Sequence, residues 1–305
     1  MAGTTTINAG ANNITLTDGD GTFGTLELTG NDVTITENAA TDIGASIIAN
    51  TLALPSAGNI TDSGTIAAAS TVTLNAGSNN ITIDNGDGTF GTLELIGNTV
   101  AVTENAATDI GNSTIAGDAS FTSAGAVTDS GNISVASDSS FQGTSITLGS
   151  NTFNVGTLTF NTAGAAVISE DSATTLSGNS TAASLDLTSV DFIDDSAGGS
   201  IAVTGLTDLT GTNISVGDGS FNTGTLIFSG TSVTILESSS MTISGASAAT
   251  SGLQLAAEDT ITTNATINVL GNTVIWSGFT SGTGNIDINA KLTGSGTILL
   301  DAGDS

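Results

Sequence analysis

The chain has 305 residues, with 29 acidic side chains against one basic residue, no histidine, and a formal net charge of −28 at pH 7. That imbalance excludes nucleic acid as a partner, because phosphate binding needs Lys and Arg to displace counterions, and it excludes attraction to an anionic membrane surface. Cysteine is absent and no apolar run is long enough to span a bilayer as a helix, while 40 glycines beside 38% hydrophobic residues describe a folded, turn-rich chain unlike an ordinary enzyme.

The opening MAGTTTINAG lacks the basic and apolar regions of a signal peptide, so any export address is expected outside the sequence given. From residue 14 onward the local period is two. ITLT (14–17), TLEL (25–28), VTIT (33–36), TLAL (51–54) and TVTL (71–74) alternate apolar and polar residues, and Gly, Asn, Asp or Ser separates them. Short alternating runs between turn residues predict strands, and no helical periodicity competes with them. Ile14, Leu16, Leu26, Leu28, Val33, Ile35, Leu52, Leu54, Val72 and Leu74 are then expected to face inward with Phe23 and Phe90 at wider corners, while Thr15, Thr17, Glu27 and Thr34 face outward. Asn and Gly at the bends are expected to take left-handed backbone conformations, and Asn at equivalent bends to form amide ladders.

A longer period overlies the short one. Residues 8–50 align with 75–117 at an offset of 67, with 32 identities in 43 positions. Weaker copies follow, giving repeats at approximately 8–74, 75–141, 142–207 and 208–274 and a partial one at 275–305. A unit copied along the whole chain predicts one continuous solenoid over 1–305, because stacked units bury their apolar faces against their neighbours. The expected fold is all-β, a right-handed parallel β-helix. Dividing the repeat by three gives about 22 residues per rung, and about 14 rungs in all.

The segments NITDSGTI (59–66), TLNAGSNNITIDN (73–85), ITENAATDIG (35–44) and GSGTILLDAG (294–303) resemble the β-strand repeats of filamentous haemagglutinin-like giant bacterial surface proteins. The resemblance implies a secreted β-helical shaft or adhesin segment, extracellular and held at the cell surface, with a cell-surface or glycan partner. It also implies a segment of a far longer polypeptide.

Candidate sites are few. Asp18 and Asp20 in DGDGTFGTLEL (18–28), and Asp87 in its second copy NGDGTFGTLEL (85–95), have a spacing that can present oxygens to calcium. The remaining ligand positions of a calcium loop are filled by strand residues, so a structural turn is the preferred reading. Glu37, Glu104, Glu170 and Glu237 recur once per copy and read as solvated turn residues in preference to a cation ladder. Asp194 and Asp195 stand where other copies carry TDSG and read as drift of that turn. Trp276 and Phe279 read as core or corner residues and not as a sugar platform.

Thr15-x-Thr17, Thr34-x-Thr36, Thr71-x-Thr73 and Thr157-x-Thr159 match an ice-binding pattern locally, but not once per rung. With no Arg, His or Cys, and with Lys291 as sole base, most general-base and nucleophile arrangements are closed. The expected function is therefore non-enzymatic, without catalytic residues or an organic cofactor: a rigid structural or adhesive segment with open ends able to self-associate. A carbohydrate- or surface-binding module on the same scaffold is the alternative, and a polysaccharide-degrading enzyme a distant third.

Overall fold

The computed structural model describes residues 3–278 and 283–303, with only the backbone of Gly19 and Asp20. Every regular element among the described residues is a β-strand, and the strand pairings are parallel. The chain forms two compact units, Met1–Gly156 and Thr157–Ser305.

In the first unit Ile14 pairs with Val33, Val33 with Leu52 and Leu52 with Val72, each one turn further along the chain. One turn carries three short strands, as in Val33–Glu37, Thr41–Ile43 and Ser46–Ile48. The next turn places Leu52–Pro55, Ile60–Asp62 and the start of Ile66–Asn75 on them. Parallel pairing of consecutive turns is what a solenoid requires, and it supplies each strand with backbone partners from a different turn. In the second unit the same construction links Ile193, Ile214, Val233, Leu253 and Thr273 in one column.

The turn is shorter than one third of the repeat. Partners in these columns stand 19, 19 and 20 residues apart in the first unit, and 21, 19, 20 and 20 in the second. A copy of 67 residues therefore holds three turns and between a third and a half of another. Ile81, the sequence equivalent of Ile14, accordingly stacks on Ile60, while the column of Ile14 continues through Val72 to Leu93. Equivalent residues of these adjacent copies lie on successive sides of the coil.

Alternation places the core as expected at Leu26, Leu28, Val33, Ile35, Leu52, Leu54, Val72 and Leu74, all at most 2% exposed, with Ile14 and Phe90 also buried. Thr15, Thr17, Glu27 and Thr34 lie on the outer side, exposed or half-buried. Leu16 departs from the pattern at 37% exposed. Its strand, Ile14–Gly21, is in the opening turns, where a neighbouring turn covers it on one side only. Phe23 is half-buried for the same reason. Aromatic residues thicken the interior further on: Phe121 stacks on its register partner Phe141 at 5.5 Å between ring centroids, and Phe153 tilts against Phe141 at 5.8 Å. Each fully buried Phe contributes on the order of 1.5–3 kcal/mol from apolar burial.

The bends use glycine and asparagine differently. Among the described residues only glycines have positive φ, so the expected left-handed asparagines are not found. Asparagine instead caps the turn: Gly10 and Gly77, both with φ of 58°, donate their N–H groups to Asn8 Oδ1 and Asn75 Oδ1 at 2.9 Å. The amide ladders do form. Asn31 Nδ2 donates to Asn13 Oδ1 at 3.0 Å, and Asn98 Nδ2 to Asn80 Oδ1 at 3.1 Å.

Candidate functional site

The stretch DGDGTF occupies a bulge. Strand Ile14–Gly21 runs in register with Val33–Glu37 up to Leu16 and resumes at Gly21 opposite Glu37; the second copy does the same between Ile83 and Gly88, opposite Glu104. Extra residues in one strand leave backbone groups without a ladder partner. The glutamates supply it. Phe23 N–H donates to Glu37 Oε1 at 2.6 Å, Phe90 N–H to Glu104 Oε1 at 2.7 Å and Thr223 N–H to Glu237 Oε1 at 2.9 Å. The glycines of the motif make room for the ring that follows: a Cβ on Gly21 would lie 2.8 Å from the Phe23 ring, and one on Gly88 2.7 Å from that of Phe90.

These glutamates are therefore not solvated turn residues. Glu37, Glu104, Glu170 and Glu237 are between 0 and 2% exposed. Each follows an alternating strand at the inward parity, as in Val33, Ile35, Glu37 and Val233, Ile235, Glu237, so the alternation carries the carboxyl into the bore. Glu37 is fully engaged, since the Thr41 hydroxyl donates to its Oε2 at 2.6 Å. Glu104 Oε2 and Glu237 Oε2 are buried without a hydrogen-bond partner. Burial pushes the Glu104 carboxyl above its usual range, only partly offset by the Phe90 N–H and by the nearby Thr108 hydroxyl, which makes no hydrogen bond of normal geometry to it. Burial raises Glu237 further, to about 7, against the opposing hydrogen bonds from Thr223 and Ser239.

A second set of inward acids ties successive turns together. Asp129 Oδ1 and Oδ2 accept the N–H groups of Ser150 and Asn151 at 3.2 and 3.3 Å. Asp195 Oδ2 and Oδ1 accept those of Gly217 and Asp218 at 2.8 and 3.1 Å, and Asp62 Oδ1 accepts that of Asp84 at 3.1 Å. Asp195 is 0% exposed and does the work of the equivalent Asp in TDSG, as the sequence comparison expects. Its neighbour Asp194 caps the turn locally, accepting from Ser196 Oγ at 2.9 Å. On the outside, Asp42 Oδ2 accepts the hydroxyls of Thr25 on one neighbouring turn and Ser63 on the other, each at 2.7 Å; Asp109 repeats this with Thr92 and Ser130.

Of the calcium candidates, Asp18 is exposed, Asp20 has its side chain outside the described residues, and Asp87 accepts the Thr65 hydroxyl on Oδ2. Among the described residues no three acidic side chains converge as a metal site. Trp276 is not a core residue: it lies between the buried Ile275 and Ser277 at the outward parity and is 39% exposed, while Phe279 is outside the described residues. The threonine pattern is short, because Thr15 stacks on Thr34 but Thr34 stacks on Ala53. A groove of about 400 Å³ runs along one side, lined by Ile47, Ala67, Ala69 and Phe90 among others.

Residues 30–95 and 97–161 each match a family model described as repeats of unknown function (DUF5649). Over these segments the chain is similar to that family. The two matches begin 67 residues apart, the same period that self-alignment gives. No curated protein and no solved structure matches the chain.

The carboxyl clamps were visible in the sequence as acids at inward positions of alternating strands. Their recurrence once per copy drew attention to them, but charge alone argued for the outside, and the unpaired bulge N–H that receives each one has no sequence signature beyond the DGDG insertion.

Proposed function

We propose that the chain is a non-enzymatic structural segment of a secreted bacterial cell-surface protein of the filamentous haemagglutinin-like kind, each solenoid unit serving as a stiff spacer. The observation that supports this most is the use made of the carboxyl groups. The buried acids Glu37, Glu104, Asp129, Asp195 and Glu237 accept backbone N–H groups of the bulges and of the next turn. A group consumed in holding turns together favours a mechanical use over a catalytic one.

The strand Ile298–Ala302 pairs with Asn272–Ser277 and presents Ile298, Leu299 and Leu300 at 41, 54 and 47% exposure. Unpaired strand edges of this kind accept further strands, so self-association through this edge belongs to the proposal. Sedimentation velocity of the chain, with and without a polar cap fused after residue 303, tests it: concentration-dependent growth abolished by the cap is expected, and a monomer unaffected by the cap removes that part of the proposal. Protease accessibility of the full gene product on intact cells tests the location. Saturable binding to a glycan array would favour the carbohydrate-binding module instead.

A further inference from the structure

The buried glutamates fall into two kinds, and the distinction is one of hydrogen-bond donors. At Glu37 both carboxyl oxygens accept, one from the Phe23 N–H and one from the Thr41 hydroxyl, as a carboxylate requires. At Glu104 and Glu237 Oε1 accepts a backbone N–H, but Oε2 is enclosed with nothing donating to it. The Thr108 hydroxyl beside Glu104 is likewise buried and unbonded. In the fourth copy the position of Thr41 is taken by Met241, which is 0% exposed and has no hydroxyl to give. An unpaired anionic oxygen in such a place is costly, and an O–H on the same atom costs much less.

We propose that Glu104 and Glu237 are held in the fold as neutral carboxylic acids, protonated on Oε2, and that they are proton-binding sites whose emptying loosens the bulges they clamp. No opposite charge rescues the ionised form. Against Glu104 pack Ile81–Gly97, which carries Asp84, Asp87 and Glu94, Ala119–Ser123, which carries none, and Thr108–Ile110, which carries Asp109. The rest of Glu237's own strand, together with Asn213–Val216, Met241–Ile243 and Ser247–Ala257, carries no charged group; Ser200–Thr210 carries Asp208, and Asp218 and Glu258 flank these strands, all of them acids. The sole base, Lys291, is on none of these elements. The upward displacement of both carboxyls by burial agrees with the geometry.

The sign of the effect follows. An acid whose folded pKa lies above its unfolded value binds its proton more tightly when folded, so its support is complete in acid and is lost as pH rises from the unfolded toward the folded value. For Glu237, moving from 4.5 to about 7, the folded-to-unfolded ratio falls by roughly 100-fold between about pH 5 and pH 8.

Titration of the full chain carrying carboxyl-labelled glutamate, followed by NMR, tests this directly across its seven glutamates. Two signals are expected to titrate well above those of Glu27, Glu94 and Glu258; seven signals moving together in the ordinary carboxylate range would overturn the proposal. Glu237→Gln, which keeps the acceptor and replaces the O–H donor by N–H, is expected to match the parent at pH 5 and exceed it in urea resistance at pH 8. Equal pH slopes for the two proteins would overturn it as well. The titration of the unsubstituted chain decides the matter should the variant fail to fold.

Discussion

The first two 67-residue copies are nearly the same sequence in different surroundings. Leu16 in the first is 37% exposed, and its counterpart Ile83 in the second is 1% exposed. Phe23 is half-buried and Phe90 buried. The strand at Ile14 has a partner turn on one side, whereas Ile81 pairs with Ile60 on one side and Val100 on the other. Burial here belongs to the stack and not to the copy, as nearest-neighbour stabilisation requires. Even the clamps feel it: Glu37 keeps a hydroxyl on its second oxygen, and Glu104 does not.

Paired substitutions sharpen that contrast. The largest difference is expected between Ile83→Ala, costing about 2–5 kcal/mol in urea denaturation, and Leu16→Ala, costing under about 1 kcal/mol. Equal costs would mean that the outer turn packs as well as an inner one. Next come Glu37→Ala and Glu104→Ala at neutral pH, each stranding a bulge N–H. Glu37→Ala is expected to cost about 1–3 kcal/mol, and Glu104→Ala less, because removing its carboxyl also removes a poorly satisfied group. Gly88→Ala is expected to cost about 1 kcal/mol more than Gly21→Ala, since the half-buried Phe23 ring swings away more readily than the buried Phe90 ring; thermal melting of the two variants reads the difference. Asp42→Ala and Asp109→Ala serve as the matched control. Their hydroxyl partners are the same in both copies, so each should lower stability by no more than about 0.5–1 kcal/mol and by equal amounts.

Strand positions and their inward faces were legible because alternation at period two is a local property, and Val33, Ile35, Leu52 and Leu54 needed nothing else. The length of a turn was not. The copy period is set by duplication, the turn by how many residues close three sides and their corners, and nothing obliges one to be a whole multiple of the other. Leu16 was misplaced because exposure depends on a neighbouring turn that no local pattern reports. Glu37, Glu104, Glu170 and Glu237 were misplaced because a charge was weighed above the parity that carries it inward. Asp195 was legible as a copy of Asp62 and Asp129, though its grip on Gly217 and Asp218 depends on a loop 22 and 23 residues away.

The mismatch between copy length and turn length carries a consequence for growth by gene duplication. Were copies whole numbers of turns, every inherited acid would sit directly above its twin, and a strongly anionic chain would line up its own repulsions. With part of a turn left over, the second copy is screwed round before it is added, so neighbouring twins are dealt to different faces. A lineage can then add a whole copy while the like charges of neighbouring copies stay apart.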